Sequence, residues 1–425
     1  MKVGIPMKKR LLWLVPVVPA LLILLVLLAP VLIPGEKAAG FLARRIHLAT
    51  GADVTLGSVE VRVWPRVRVV LGEGSLAGDL GDSGLETVGW KSASLDLDPG
   101  SLLVGRLNLS AVEAGGLSMS GVNGRHRYRV EDGRVRVRGL ELALEGEDGN
   151  WLPPGKPVPL DLAAGVLRFD DLEFRDLTGQ GSVTGDTLRL RRLTGKLGTG
   201  QAEVSGTLAV TGRDDRPVRF VAEIQGVPVA ALLAGPAPEL AGKWEGDLDG
   251  RATGDFLLRK GEFVPESLVV EGRLEGGSGV VDARQWLASV AGYLGSRQDL
   301  LEIHYDRLEH SFSVRDGRYL VDLDLAGPQT DWSVSGWVGL AGNLDLAVLV
   351  KLPPGFTPDL GSLSLLASAL RDKEGRIALA LRLSGRTRHP EVSVDLEKSL
   401  QGAGGKTGSA LGKGLGGLLD KLKVR

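Results

Sequence analysis

From Asp53 onward the chain alternates apolar and polar residues at period two, and this pattern more than any other limits what it can fold into. A strand turns successive side chains to opposite faces, so strict alternation gives a sheet with one dry and one wet face. The stretch "TGADVTLGSVEVRVWPRVRVVLGEG", Thr50 to Gly74, reads as two strands around a Trp-Pro turn. One face takes Val54, Leu56, Val59, Val61, Val63, Val67, Val69 and Leu71; the other takes Asp53, Thr55, Glu60, Arg62, Arg66 and Arg68. The same texture returns in "RHRYRVEDGRVRVRGLELALEG" (125–146), "DTLRLRRLTGKLGTGQAEVSGTLAV" (186–210), "SFSVRDGRYLVDLDLAG" (311–327), "NLDLAVLVKL" (343–352) and "RIALALRLSG" (376–385). Asp132-Gly133 and Asp316-Gly317 are hairpin dipeptides flanked by alternating residues. Gly is 61 of 425 residues, roughly twice the usual share, which suits many tight turns and bends. The fold class is therefore mainly β, an antiparallel arrangement with one wet face.

Helical spacing is rare. Glu36 to Thr50 places Phe41, Leu42, Ile46 and Ala49 on one stripe, and "VPVAALLAG" (227–235) and "ARQWLASVAGYLGS" (283–296) are further candidates. "SLSLLASALRD" (362–372) fits helix or strand, and the tail 408–425 is Gly-rich and weakly amphipathic. Prolines cluster at 153–159 and 236–238. Two architectures meet the alternation: a series of sandwiches whose apolar faces join, or one long curled sheet whose apolar face is a groove. Strand interiors of Leu and Val, with only 5% aromatics overall, and few segments able to form a covering layer favour the groove. Alternation alone does not choose between them.

Leu11 to Ile33, "LLWLVPVVPALLILLVLLAPVLI", carries no charge over about 23 residues, enough for a helix to cross a hydrocarbon core of about 30 Å. Lys2, Lys8, Lys9 and Arg10 precede it, so the N-terminus is expected to stay cytoplasmic and the rest to be translocated. The run is longer than the apolar core of a cleaved signal peptide and lacks a small-x-small ending, so it reads as an uncleaved single-pass anchor.

Chemistry is sparse. There is no Cys, which removes disulfides, thiol catalysis and Cys-based zinc sites. A net charge of −1 gives no field toward nucleic acid. "GAGGKTGSALGKG" (402–414) holds a GKT, but Leu400 stands where a phosphate loop needs its first Gly. "EIHYDRLEH" (302–310) gathers Glu302, His304, Asp306, Glu309 and His310; Glu302, His304 and Asp306 share a strand face, which a solvated surface explains better than a metal site. Arg125, Arg127, Arg129, Arg134, Arg136 and Arg138 fall on one face and read as solvated. His47, His126 and His389 stand apart, so no catalytic set, metal site or cofactor is expected.

The two ends resemble the AsmA-like family of bacterial envelope proteins. At the N-terminus the match is a basic start, an anchor, "LARRIHLATGADVTLGSVEV" and "VWPRVRVVLGEGSLAG". At the C-terminus it is "GVVDARQWLASVAGYLG", the strand–DG–strand hairpin, "SGWVGLAGNLDL" and "LSGRTRHPEVSVD", with "LTGKLGTGQAEVSGTLAV" between. These pieces cover about half the chain, which is shorter than the family's large lipid bridges. The resemblance implies an elongated β-groove, or β-taco, hung from the inner membrane into the periplasm and acting in phospholipid traffic or outer-membrane homeostasis.

On that basis residues 1–34 are a cytoplasmic stub and anchor, 35–235 a helix and β-groove region, 236–398 an AsmA-like C-terminal β region, and 399–425 the tail. The lipid-lining candidates are Val61, Val63, Leu188, Leu190, Leu208, Leu323, Leu325, Leu344, Leu346, Leu379, Leu381 and Leu383. The expected partners are phospholipids, the inner membrane, and the outer membrane or other envelope proteins, with no nucleic acid. The alternative is a non-transport adaptor that assists outer-membrane protein assembly.

Overall fold

A computed structural model describes residues 39–40, 43–44, 47, 52–62, 66–78, 84–102, 106–123, 126–143, 156–209, 215–235, 237–260, 262–284, 301–356, 371–372, 374–387, 389–395 and 398–399. The fold is mainly β and antiparallel, with few short helices. No helix among the described residues is long and apolar enough to cross a membrane; Leu11–Ile33 lies outside them, as do the segments 285–296 and 402–425. Ala39, Gly40, Ala43, Arg44 and His47, the described part of the stretch expected as a first helix, are helical.

The chain divides into two compact units, Met1–Lys196 with Val204–Val218 and Leu258–Phe263, and Leu197–Glu203 with Arg219–Leu257 and Val264–Arg425. In the first unit the strands are β1 (Asp53–Leu56), β2 (Val59–Arg62), β3 (Val67–Leu71), β4 (Gly74–Ala77), β5 (Leu85–Trp90), β6 (Ser92–Asp98), β7 (Arg106–Asn123), β8 (His126–Ala143), β9 (Val158–Phe169), β10 (Leu172–Thr184) and β11 (Thr187–Leu197). A short helix α1 (Pro99–Leu102) precedes β7. β1 pairs with β4 and β2 with β3, so β1–β2 and β3–β4 act as two long strands, each broken once. β4 and β3 pair in turn with β5 and β6, and these bond the two halves of the 18-residue β7. From β7 the sheet continues through β8 and β9 to β10.

The breaks line up. Gly57-Ser58 faces Gly72-Glu73 through Gly57 N–H to Glu73 O (2.8 Å) and Gly72 N–H to Ser58 O (2.9 Å). Lys91 bonds Gly115 O, and Gly116 beside it has φ +63°. Asp132 in β8 and Asp176 in β10 are left-handed at φ 52° and 53°, with Gly165 of β9 between them in register. Each strand therefore takes one extra residue along a single line. Such bulges bend a sheet, and a row of them forms a crease. Trp90 packs on Gly74, and its indole N–H donates to Gly72 O at 2.9 Å.

This corrects the expected hairpin at Asp132-Gly133. β8 runs straight through the dipeptide, because β7 and β9 pair with it on both sides of the bulge. The bulge shifts the alternation by one and so keeps Arg127 and Arg129 on the same face as Arg134, Arg136 and Arg138. Asp316-Gly317 is a hairpin turn as expected, with φ 51° and 68° and Arg315 paired with Arg318.

β12 (Gly200–Ala209), β13 (Asp215–Pro228) and β15 (Asp247–Arg259) follow, each with residues in both units, and β15 turns into β16 (Glu262–Phe263). In the second unit a meander runs β15, β17 (Val269–Gly276), β20 (Arg307–Arg315), β21 (Arg318–Ala326), β22 (Asp331–Gly339), β23 (Asn343–Lys351), β24 (Ala378–Arg386) and β25 (His389–Val394). A three-stranded sheet of β14 (Trp244–Glu245), β18 (Gly279–Asp282) and β19 (Glu302–Tyr305) accompanies it, with short helices α2 (Val229–Leu233) and α3 (Pro238–Ala241). α2 realises the helix expected within 227–235, and α3 starts on the second proline cluster, with Pro238 at its first turn.

Candidate functional site

In the first unit the register assembles apolar rows across the strands. Val61, Val69, Leu95, Val112, Val137, Leu160 and Gly181 are successive partners from β2 to β10. A Cβ at Gly181 would lie 3.5 Å from Leu190 Cα, so Leu190 extends this row. Beyond the crease Val54, Leu76, Val88, Met119, Val130, Leu167 and Phe174 form another. Gly181 aside, every member of both rows is half-buried. The residues are apolar, share a face and are only partly withdrawn from water among the described residues. Leu188, two positions before Leu190, and Leu208 in β12 are half-buried as well. Val63 lies outside the described residues.

The opposite face is a lattice of ion pairs. Arg136 meets Glu113 at 2.7 Å, Arg138 meets Asp161, Arg168 meets Glu173 at 2.7 Å and Glu131 at 3.0 Å, and Lys196 meets Asp176 at 2.8 Å. Hydrogen bonds from Arg168 and Arg175 hold the Glu173 carboxyl below the usual carboxylate range. Arg68 does the same for Asp96, which is otherwise buried. Apart from Asp96 these charges are partly exposed, so each such pair contributes little to stability; collectively they keep this face wet.

The second unit stacks its apolar face in four levels. Leu248, Leu308, Leu325, Trp332, Val350 and Leu379 make the first. Leu274, His310, Leu323, Val334, Val348 and Leu381 make the second. Phe312, Val321, Gly336, Leu346 and Leu383 form the third, and Val314, Tyr319, Val338 and Leu344 the fourth. All seven C-terminal candidates, Leu323, Leu325, Leu344, Leu346, Leu379, Leu381 and Leu383, thus lie on one face. They are not equally accessible. Leu325, Leu379 and Leu381 are 4%, 1% and 3% exposed in a cluster closed by Val229 of α2, Val281 of β18, and Ile303 and Tyr305 of β19. Leu323, Leu346 and Leu383 are half-buried, and Leu344 is buried.

A polar pair interrupts this face. His310 Nε2 lies 2.6 Å from Tyr319 Oη and Nδ1 lies 3.1 Å from Asp322 O, with Phe312 stacked on both rings. Burial lowers the His310 pKa and raises that of Tyr319 far above the ordinary tyrosine range, so His310 is neutral at pH 7 and accepts at Nε2 from the Tyr319 hydroxyl. His310 therefore faces away from Glu309. Glu302 and His304 lie on β19 opposite the buried Ile303 and Tyr305, as the alternation required. No group of three His, Asp or Glu is placed to hold a metal among the described residues. Sequence reasoning missed the His310–Tyr319 pair, because a nine-residue separation becomes a contact only through the turn at Asp316-Gly317.

Comparison with protein-family models, with curated proteins and with solved structures found no match to this chain.

Proposed function

We propose that this chain is an inner-membrane-anchored, periplasmic carrier that holds phospholipid acyl chains on the apolar face of its sheet and contributes to outer-membrane lipid homeostasis. The observation that supports it best is the contrast between the two units. The second closes its first-level residues into a core, whereas the first leaves whole rows of Val and Leu half-buried among the described residues. An acyl chain laid along such a row gains about 0.8 kcal/mol per CH₂ removed from water, and a uniform surface lets it slide. The head group stays in water at the margin. The resemblance of both ends to AsmA-like envelope proteins supports the same reading, and the chain's role in it is non-catalytic.

The test is photo-crosslinking in cells. Crosslinkers at Val61, Leu190 and Leu346 should capture phospholipid, and those at Arg136 and Arg138 should not. Equal capture on both faces refutes the carrier. Capture of one envelope protein by the apolar positions, with no lipid, supports the adaptor in its place.

A further inference from the structure

Arg216 lies on the apolar face of β13. β13 begins Asp215-Arg216-Pro217-Val218. Asp215 belongs to the polar face, where its carboxylate accepts from Arg259 Nε at 2.8 Å. Alternation then turns Arg216 to the opposite face, together with Val218. In the adjoining hairpin Arg259 pairs with Glu262, and Leu258 pairs with Phe263, so Leu258 and Phe263 share the side that Arg216 faces. All of these apolar neighbours are half-buried, as is Arg216 itself. Its Nε is covered from solvent and has no hydrogen-bond partner among the described residues. The contrast with the polar face is direct: Arg68, Arg136, Arg138, Arg168 and Arg175 each meet a carboxylate there.

A covered N–H without an acceptor is costly. An anion held beside the half-buried guanidinium would offset that cost. The guanidinium is a planar fork that matches phosphate or carboxylate oxygens, and it is more weakly hydrated than an ammonium. The neighbours of Arg216 are apolar, so the anion it suits must itself carry apolar groups. A phospholipid joins the two properties: its phosphate is esterified to a glycerol that also carries acyl chains.

We propose that Arg216 is the receptor for the phosphate of an acyl-chain lipid lying on this face. This rests on the lipid-carrying reading and adds to it a place where the head group is held. The fork would bind the phosphate while Val218, Leu258 and Phe263 contact the first methylenes of the chains. A sliding lipid would then have one preferred stop.

The experiment uses the full chain purified in detergent and measures binding of phosphatidylglycerol and of diacylglycerol with the same acyl chains. The wild type should prefer phosphatidylglycerol by at least about tenfold, the ratio that corresponds to about 1.4 kcal/mol. Arg216→Met should bind diacylglycerol as before and lose the preference. Arg216→Gln, which keeps an N–H donor without the charge, should lose it too, and serves if the first variant does not fold. Preference retained in either folded variant overturns the proposal, as does a wild type that binds both lipids equally. Glycerol 3-phosphate binding as tightly as phosphatidylglycerol also overturns it, because the acyl chains would then contribute nothing. A wild type that binds neither lipid refutes the carrier reading itself, a separate result.

Discussion

A carboxylate placed on the apolar face should act differently in the two units, and the difference can be worked from burial. Leu381 is 3% exposed, lies between Val348 and Val394 in register, and belongs to the closed cluster. Truncating such a leucine costs about 2–5 kcal/mol. Burying an unpaired carboxylate in its place adds several more, or forces protonation. The total for Leu381→Asp approaches the whole stability of an ordinary domain, about 5–15 kcal/mol. Val137 occupies the middle of a row, between Val112 and Leu160, but is half-buried. Full burial of a valine is worth about 1.5 kcal/mol or somewhat more, so half of that is lost, and strand propensity removes up to about 1 kcal/mol. Water can reach the new carboxylate. Val137→Asp should therefore cost about 2 kcal/mol and leave a folded chain whose row is interrupted by a charge. Urea titration followed by circular dichroism gives the stabilities, and mass spectrometry of co-purified lipid gives the occupancy. Leu381→Asp should fail to accumulate as folded protein; Val137→Asp should fold and lose lipid. If Val137→Asp destabilises as much as Leu381→Asp, the first unit is a closed core and the reasoning fails. If it folds and keeps its full complement of lipid, the row is not where lipid lies.

Two smaller changes probe the crease and the polar pair. Gly74→Ala would set a methyl against the Trp90 ring and 2.7 Å from Thr55 O, so it should cost about 1–3 kcal/mol in a urea titration; an unchanged midpoint would mean the crease is not packed as described. His310 has a pKa lowered mainly by burial, so the folded state resists its protonation. Its share of stability is complete above the unfolded value of about 6.5 and is lost as pH falls from there toward the folded value. The urea midpoint should drop more between pH 7.5 and 5.5 in the wild type than in His310→Phe, and equal drops would place the acid sensitivity elsewhere.

Much of the fold is legible in the sequence because alternation is local. It assigns Val59 and Val61 to one face and Glu60 and Arg62 to the other, before any partner strand is known. It also puts Arg216 in phase with Val218, although nothing local says that its Nε ends up covered with no acceptor among the described residues. What alternation cannot carry is whether a strand continues. Asp132-Gly133 and Asp316-Gly317 are the same dipeptide, and in both the Asp is left-handed. At 316 the chain turns back and pairs Arg315 with Arg318. At 132 it runs on, because β7 and β9 pair with β8 on either side, with the register shifting against β7 and kept against β9. Closure is likewise a tertiary matter. Leu379 and Leu190 are both leucines on alternating strands, yet one is sealed by Val229, Val281 and Ile303 from distant parts of the chain, and the other stays half-buried among the described residues. Period two is written residue by residue, so it fixes which face is dry. Which dry face is covered depends on segments that meet only after folding.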